Sequence, residues 1–211
     1  MLFIYVFGSL FLQYITKKEF GSNWILIFHH NSTGNVYFSN LNECKQSLDF
    51  EKYSIFQTLD DSFKVDGCYE FLLQYPEISG YNRWKQLNNP ILESKSGKTQ
   101  VTGYQGIHID WSGWYWGGLA VSTSTYCCID GSIATGNWWY SIGAYYGNSY
   151  VPKFPGPGYS LTDDIRATEV FLWVKSNKNI NERTIEKSRK ISSSLLPIML
   201  FTLICDTNIN Y

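Results

Sequence analysis

The chain is short of charge, of histidine and of every spacing that marks a catalytic or metal-binding motif. Charged residues make up 17% of its 211 positions, against about 25% in an ordinary soluble protein. Residues 1–174 carry 11 Lys/Arg against 15 Asp/Glu, a net of −4. A nucleic-acid groove needs clustered Lys and Arg to displace phosphate counterions, so no nucleic-acid partner is expected. The histidines are His29, His30 and His108, and neither H-E-x-x-H nor G-x-S-x-G occurs. Neighbouring His29 and His30 point apart on a strand, which spoils them as joint metal ligands. No C-x-x-C pair is present to seat a structural zinc. No cofactor and no metal are expected, and Asp60-Asp61 and Asp163-Asp164 read as solvated loop acids. A thiolate at Cys127 or Cys128 activated by His108 is less expected than buried or bridged sulfur. Carboxylates for glycoside cleavage could be assembled from Glu70, Asp110 and Asp130 only by assuming the fold. The expectation is therefore a protein that is not an enzyme, with a glycan-active hydrolase as the third reading.

Long apolar runs are missing too. Leu2 to Ile15 has the length of a signal-peptide apolar region and is too short for a comfortable transmembrane helix of about 20 residues. Residues 1–16 are expected to be a signal peptide and the protein to be secreted or held at the cell surface. Residues 175–211 hold 6 Lys/Arg against 3 Asp/Glu, and within them Leu195 to Cys205 is apolar but interrupted by Pro197. Eleven residues at about 1.5 Å each do not cross a hydrocarbon core of about 30 Å. Residues 176–211 thus read as a basic linker with a short apolar segment, and membrane association through a terminus stays open, as does oligomeric state.

Aromatic residues, in contrast, reach 18%. Five of the eight tryptophans fall between Tyr104 and Tyr159, among repeated Gly, Ser and Thr. Around this stretch the chain reads as short strands. Asn23 to His30 is apolar on both sides, Cys68 to Tyr75 alternates and stops at Pro76, and Thr168 to Lys175 alternates again. Val101 to Asp110, Gly118 to Ser122, Thr125 to Ile129 and Asn137 to Tyr145 are further candidates, with Asp130-Gly131 and Gly136-Asn137 as turns. Tyr53, Phe56, Leu59 and Phe63 recur at helical spacing and predict a short amphipathic helix. Tyr81 to Pro90 reads as a polar loop around Trp84. Without βαβ alternation, this pattern predicts an all-β fold, an antiparallel, jelly-roll-like β-sandwich over residues 23–175 with at most one short helix.

Cys44, Cys68, Cys127 and Cys128 are disulfide candidates. Adjacent strand residues face opposite ways, so Cys127 and Cys128 could meet different partners, and Cys44–Cys127 and Cys68–Cys127 are both open. Asn31-Ser32-Thr33 is an N-glycosylation acceptor in a predicted loop.

Several signatures occur together: NRWKQLNNP at 82–90, VTGY at 101–104, WGGL at 116–119, DGS at 130–132 followed by NWWYSIG at 137–143, and PGP at 155–157 followed by VFLWVK at 170–175. As a set they resemble a group of uncharacterised extracellular-type domains, mostly from aquatic invertebrates and protists. The resemblance covers residues 23–175, implies one extracellular-type module and transfers no catalytic residue. Likeness to galactose-binding-like sandwiches is architectural alone.

Sugar binding is the leading functional expectation, since pyranose C–H faces stack on aromatic rings while polar side chains bond the hydroxyl rim. Trp111, Trp114, Trp116, Trp138, Trp139 and Tyr140 offer rings, and His108, Asp110, Asp130 and Asn137 offer polar partners. Gly113, Gly117 and Gly118 would leave room for the ligand to approach. The partner would be a glycan or surface glycoprotein. The competing expectation is a structural or protein–protein adhesion domain whose rings fill the space between sheets.

Overall fold

The computed structural model describes residues 15–113, 115–122, 127–134, 140–145, 158–159, 164–165 and 167–176. The chain divides after Asn177, and every described residue lies in the first of its two units. Its strands are β1 (Thr16–Glu19), β2 (Ser22–Asn31), β3 (Lys52–Ser54), β4 (Tyr69–Gln74), β5 (Asn82–Gln86), β6 (Gln105–Ile109), β7 (Trp116–Val121), β8 (Ile129–Ser132), β9 (Gly158–Tyr159), β10 (Asp164–Ile165) and β11 (Glu169–Ser176). Helix α1 (Leu41–Lys45) is the one α-helix among the described residues, capped by the Asn40 side chain, which accepts from Asn42 N and Glu43 N. The fold is all-β, antiparallel and sandwich-like.

Six strands run β1-β2-β11-β4-β5-β6 in one sheet, and β3 pairs with β2 as the seventh. β1 lines the first half of β2 and β3 the second, while β11 takes the other edge of β2 and inserts beside β4. The β2 stretch from Trp24 to His30 is buried throughout, which is why it reads as apolar on both sides. On one face Phe71, Trp84 and Val174 stand at neighbouring ladder positions. Against that face lies the smaller layer, the β7–β8 hairpin, where Trp84 meets Trp116 edge to face at 5.0 Å. On the opposite face Glu70, Arg83 and Lys175 come together.

Several expectations are corrected here. The sheet begins at Thr16, ahead of residue 23. The predicted helix between Tyr53 and Phe63 is instead β3 followed by two single 3₁₀ turns, Phe56–Thr58 and Asp61–Phe63. A spacing of three suits a 3₁₀ turn as well as an α-helix, and Asp60 caps the second turn by accepting from Ser62 N. Asn82 to Gln86, read as loop, is a strand that alternates between buried and half-buried positions. Its inward residues at both ends are amides, so the apolar alternation that betrays a strand is absent. Both amides are satisfied: Gln86 Oε1 accepts from Trp84 Nε1 and Leu119 N, and Asn82 bonds the Trp111 backbone. Asp130-Gly131, read as a turn, lies inside β8. A side chain at Gly131 would place its Cβ 2.3 Å from the Trp116 ring, so the glycine is there for close packing.

One disulfide, Cys44–Cys128, ties α1 to the segment before β8. Neither Cys44–Cys127 nor Cys68–Cys127 forms; Cys127 is a buried free thiol and Cys68 a half-buried one. Cys127 turns the other way, toward the Asp130 carboxylate at 3.8 Å. Asn31 closes β2 and its Oδ1 accepts from Thr33 N. No helix among the described residues is long and apolar enough to cross a membrane.

Candidate functional site

The β1–β2 hairpin turns through two residues, Phe20 and Gly21, between the paired Glu19 and Ser22. Both have positive φ, 50° and 68°, the conformation of a tight type I′ turn that suits Asn-Gly far better than a large ring. The left-handed region costs a non-glycine residue about 1–2 kcal/mol. Phe20 sits there with 41% of its surface exposed.

A row of ring contacts runs from this tip, at one edge of the sheet, across its outer face to His108 on β6 at the other. The Phe20 and Tyr81 rings lie 4.9 Å apart at 37°, and Tyr81 and His108 lie 4.3 Å apart at 22°. The Arg83 guanidinium stands 5.5 Å from the Phe20 ring and 5.6 Å from Trp24. Glu70 fixes that guanidinium: its Oε1 accepts from Arg83 Nε at 2.8 Å and Nη2 at 2.5 Å, and its Oε2 accepts from Lys175 at 3.2 Å. With 2% of its side chain exposed, Glu70 serves as an anchor and is not open to a ligand.

Asp110 completes the row. Its Oδ2 accepts from Tyr81 N at 2.7 Å, and its Oδ1 lies 2.9 Å from His108 Nε2. The Tyr81 backbone N–H first, and the His108 ring after it, hold the Asp110 carboxyl below the usual carboxylate range. Beside it, buried Asn82 grips both polar atoms of the Trp111 backbone at 2.9 Å, and the half-buried Trp111 ring leans on Tyr75 at 5.2 Å. The assembled surface offers flat rings, a guanidinium and a fixed carboxylate, which is equipment for holding a polar ligand with an apolar face.

No family model, curated protein or solved structure matches the chain.

Of the residues the sequence singled out, His108, Asp110 and Trp111 gather at the β6 end of this surface. Trp116, Tyr140 and Asp130 do not: all three are interior. Trp116 is wedged between Trp84 and Tyr140 and donates from Nε1 to Tyr104 Oη at 3.0 Å. The Tyr140 hydroxyl donates to Gly113 O. Asp130 is enclosed with Lys95. As ligand-contacting groups these three are corrected, because rings and carboxylates sealed from water cannot meet a soluble glycan. The space left by Gly117 is filled by the chain itself, since a Cβ there would lie 2.4 Å from Thr99 O. Trp114, Asn137, Trp138 and Trp139 lie outside the described residues. Sequence reasoning missed Phe20, Tyr81 and Arg83. The usable signal was the pair Phe20-Gly21 between two strand-like segments, a hairpin turn with an aromatic where asparagine is usual.

Among the described residues no cluster of three or more His, Cys, Asp or Glu could hold a metal ion. Glu70 and Asp130 are both committed to ion pairs, Glu70 with Arg83 and Lys175 and Asp130 with Lys95.

Proposed function

We propose that this domain is a non-catalytic, extracellular-type binding module that holds a carbohydrate against the surface formed by Phe20, Tyr81, His108 and Asp110. The observation that carries the reading is Phe20, a large apolar ring held water-exposed in a strained backbone conformation. Strain kept at an exposed position invites a functional account more than a structural one. The ring row supplies stacking surface, and Asp110 retains lone pairs beyond those used by Tyr81 and His108 for bonding hydroxyls. The disulfide supports an oxidising compartment, secreted or cell-surface.

The test is Phe20→Gly, screened with wild type on a glycan array. Glycine relieves the positive φ while the variant loses a partly buried ring, so stability should change by less than about 1 kcal/mol. Glycan binding should disappear. Retained binding in a folded Phe20→Gly protein, or a blank array with wild type, refutes the reading.

A second reading is favoured by a separate observation. The enclosure of Trp116 and Tyr140 suits a structural or protein–protein adhesion domain whose rings are interior. It predicts a blank array together with capture of a protein partner that Phe20→Gly leaves intact.

A further inference from the structure

Lys95 is buried between exposed Ser94 and Ser96, so a single side chain leaves an open loop and enters the core. There its Nζ pairs with the Asp130 carboxylate of β8, their side chains 4% and 0% exposed. Lys95 Nζ also donates to Ser132 O at 3.2 Å. Asp130 Oδ1 accepts from Ser132 N at 3.0 Å, and Oδ2 accepts from the Cys127 thiol at 3.8 Å. Ala120, the ladder partner of Asp130, belongs to a buried apolar cluster with Val101 and Ile133. An amine and a carboxyl are thus held in direct contact, away from bulk water and beside fixed N–H and S–H donors.

We propose that Lys95 and Asp130 condense to an intramolecular amide, an isopeptide cross-link joining the loop at Lys95 to β8.

The chemistry needs no outside reagent. Within the pair the ammonium passes one proton to the carboxylate, leaving an amine and a carboxylic acid. The Nζ lone pair attacks Cγ, and the two oxygens of the tetrahedral centre are met separately, Oδ1 by Ser132 N–H and Oδ2 by the Cys127 thiol. A second proton moves from nitrogen to the departing hydroxyl, the C–O bond breaks, and one water leaves as the C–N bond remains. No atom is oxidised or reduced. In water two solvated ions outcompete an amide, but each buried ion carries a desolvation penalty of several kcal/mol that the neutral amide does not. Burial pushes the Asp130 carboxyl up to about 6, against the pull of Lys95, which favours the neutral acid the reaction requires. Contact held in advance supplies the remaining advantage, because the reacting groups need no diffusive encounter.

The cross-link is read by mass spectrometry on the full-length chain, reduced, deglycosylated and digested with trypsin. The expected product is a branched peptide joining the Lys95 and Asp130 segments, lighter by one water than the two linear peptides together, with no cleavage after Lys95. Lys95→Arg and Asp130→Ala should each abolish it. A wild-type digest showing cleavage after Lys95 and only linear peptides overturns the proposal, and that result stands whether or not the variants fold.

Discussion

His30 gives the fold a defined weakness toward acid. It lies on β2 with no exposed surface, where its Nε2–H donates to Val36 O at 3.0 Å and its Nδ1 accepts from Ala144 N at 3.5 Å. That pair of bonds fits one neutral tautomer. Adding a proton at Nδ1 would set an N–H against the Ala144 N–H, and His29 and Lys52 would oppose the new charge. Burial above all lowers the His30 pKa from 6.5 to about 4, the Val36 carbonyl opposing it. A folded-state pKa below the unfolded one means that the unfolded chain takes the proton first. The stabilisation is therefore complete above pH 6.5 and is lost as pH falls toward 4. At 1.36 kcal/mol per unit the full span is about 3 kcal/mol, of which about 2 kcal/mol should be gone by pH 5. Urea unfolding of wild type and His30→Gln at half-unit steps isolates this contribution, because every other titrating group is shared. The wild-type midpoint should fall by about 1 M more than that of the variant across the window. Equal slopes for the two proteins would refute the argument, as would an NMR titration placing His30 near pH 6.5.

Three further outcomes follow from the packing. Asn82→Ala leaves both polar atoms of the Trp111 backbone without their partner and should cost about 2–4 kcal/mol, with amide exchange at Trp111 becoming fast. Gly131→Ala puts a methyl 2.3 Å from the Trp116 ring and 2.9 Å from Tyr140 Cβ; the neighbours are interior on both sides, so thermal unfolding should show a loss of more than about 3 kcal/mol. Replacing Cys44 and Cys128 together by Ser opens a loop of sequence separation 84, and the chain-entropy account gives a loss of about 4–5 kcal/mol in urea unfolding.

The parts of the fold legible in the sequence are those whose side chains follow the layer pattern. β2 and β4 could be read because they are buried over nearly their whole length, and β11 because apolar residues occupy both its faces over Val170 to Val174. β5 could not, because it turns Asn82 and Gln86 inward, and a buried amide looks like loop composition until its partners on Trp111 and Leu119 are known. β8 was hidden for a related reason. Asp130-Gly131 is turn chemistry by composition, yet the aspartate is inside with Lys95 and the glycine makes way for Trp116. In each case the decisive fact is a contact with a residue distant in the chain, which local spacing does not carry.

The same reasoning separates the rings that hold the fold from those available to a ligand. A buried Trp or Tyr usually satisfies its N–H or O–H internally, and four interior rings here do so, Trp84 to Gln86, Trp116 to Tyr104, Tyr75 to Ser141 and Tyr140 to Gly113, whereas the buried Trp173 Nε1 has no hydrogen-bond partner among the described residues. Composition made the Tyr104–Tyr159 stretch look like the platform, but within it Trp116 and Tyr140 are tied into the core by these bonds. Phe20 has no polar atom to satisfy and is only partly covered, yet it holds a backbone conformation that glycine would occupy without strain. A position with less internal justification than its strain requires is a better pointer to function than a local abundance of aromatic residues. By that criterion the proposed binding region takes in the β1–β2 turn, with His108 and Asp110 as the members of the expected set near it, and Tyr115, at φ 66° and 60% exposed, meets the same criterion.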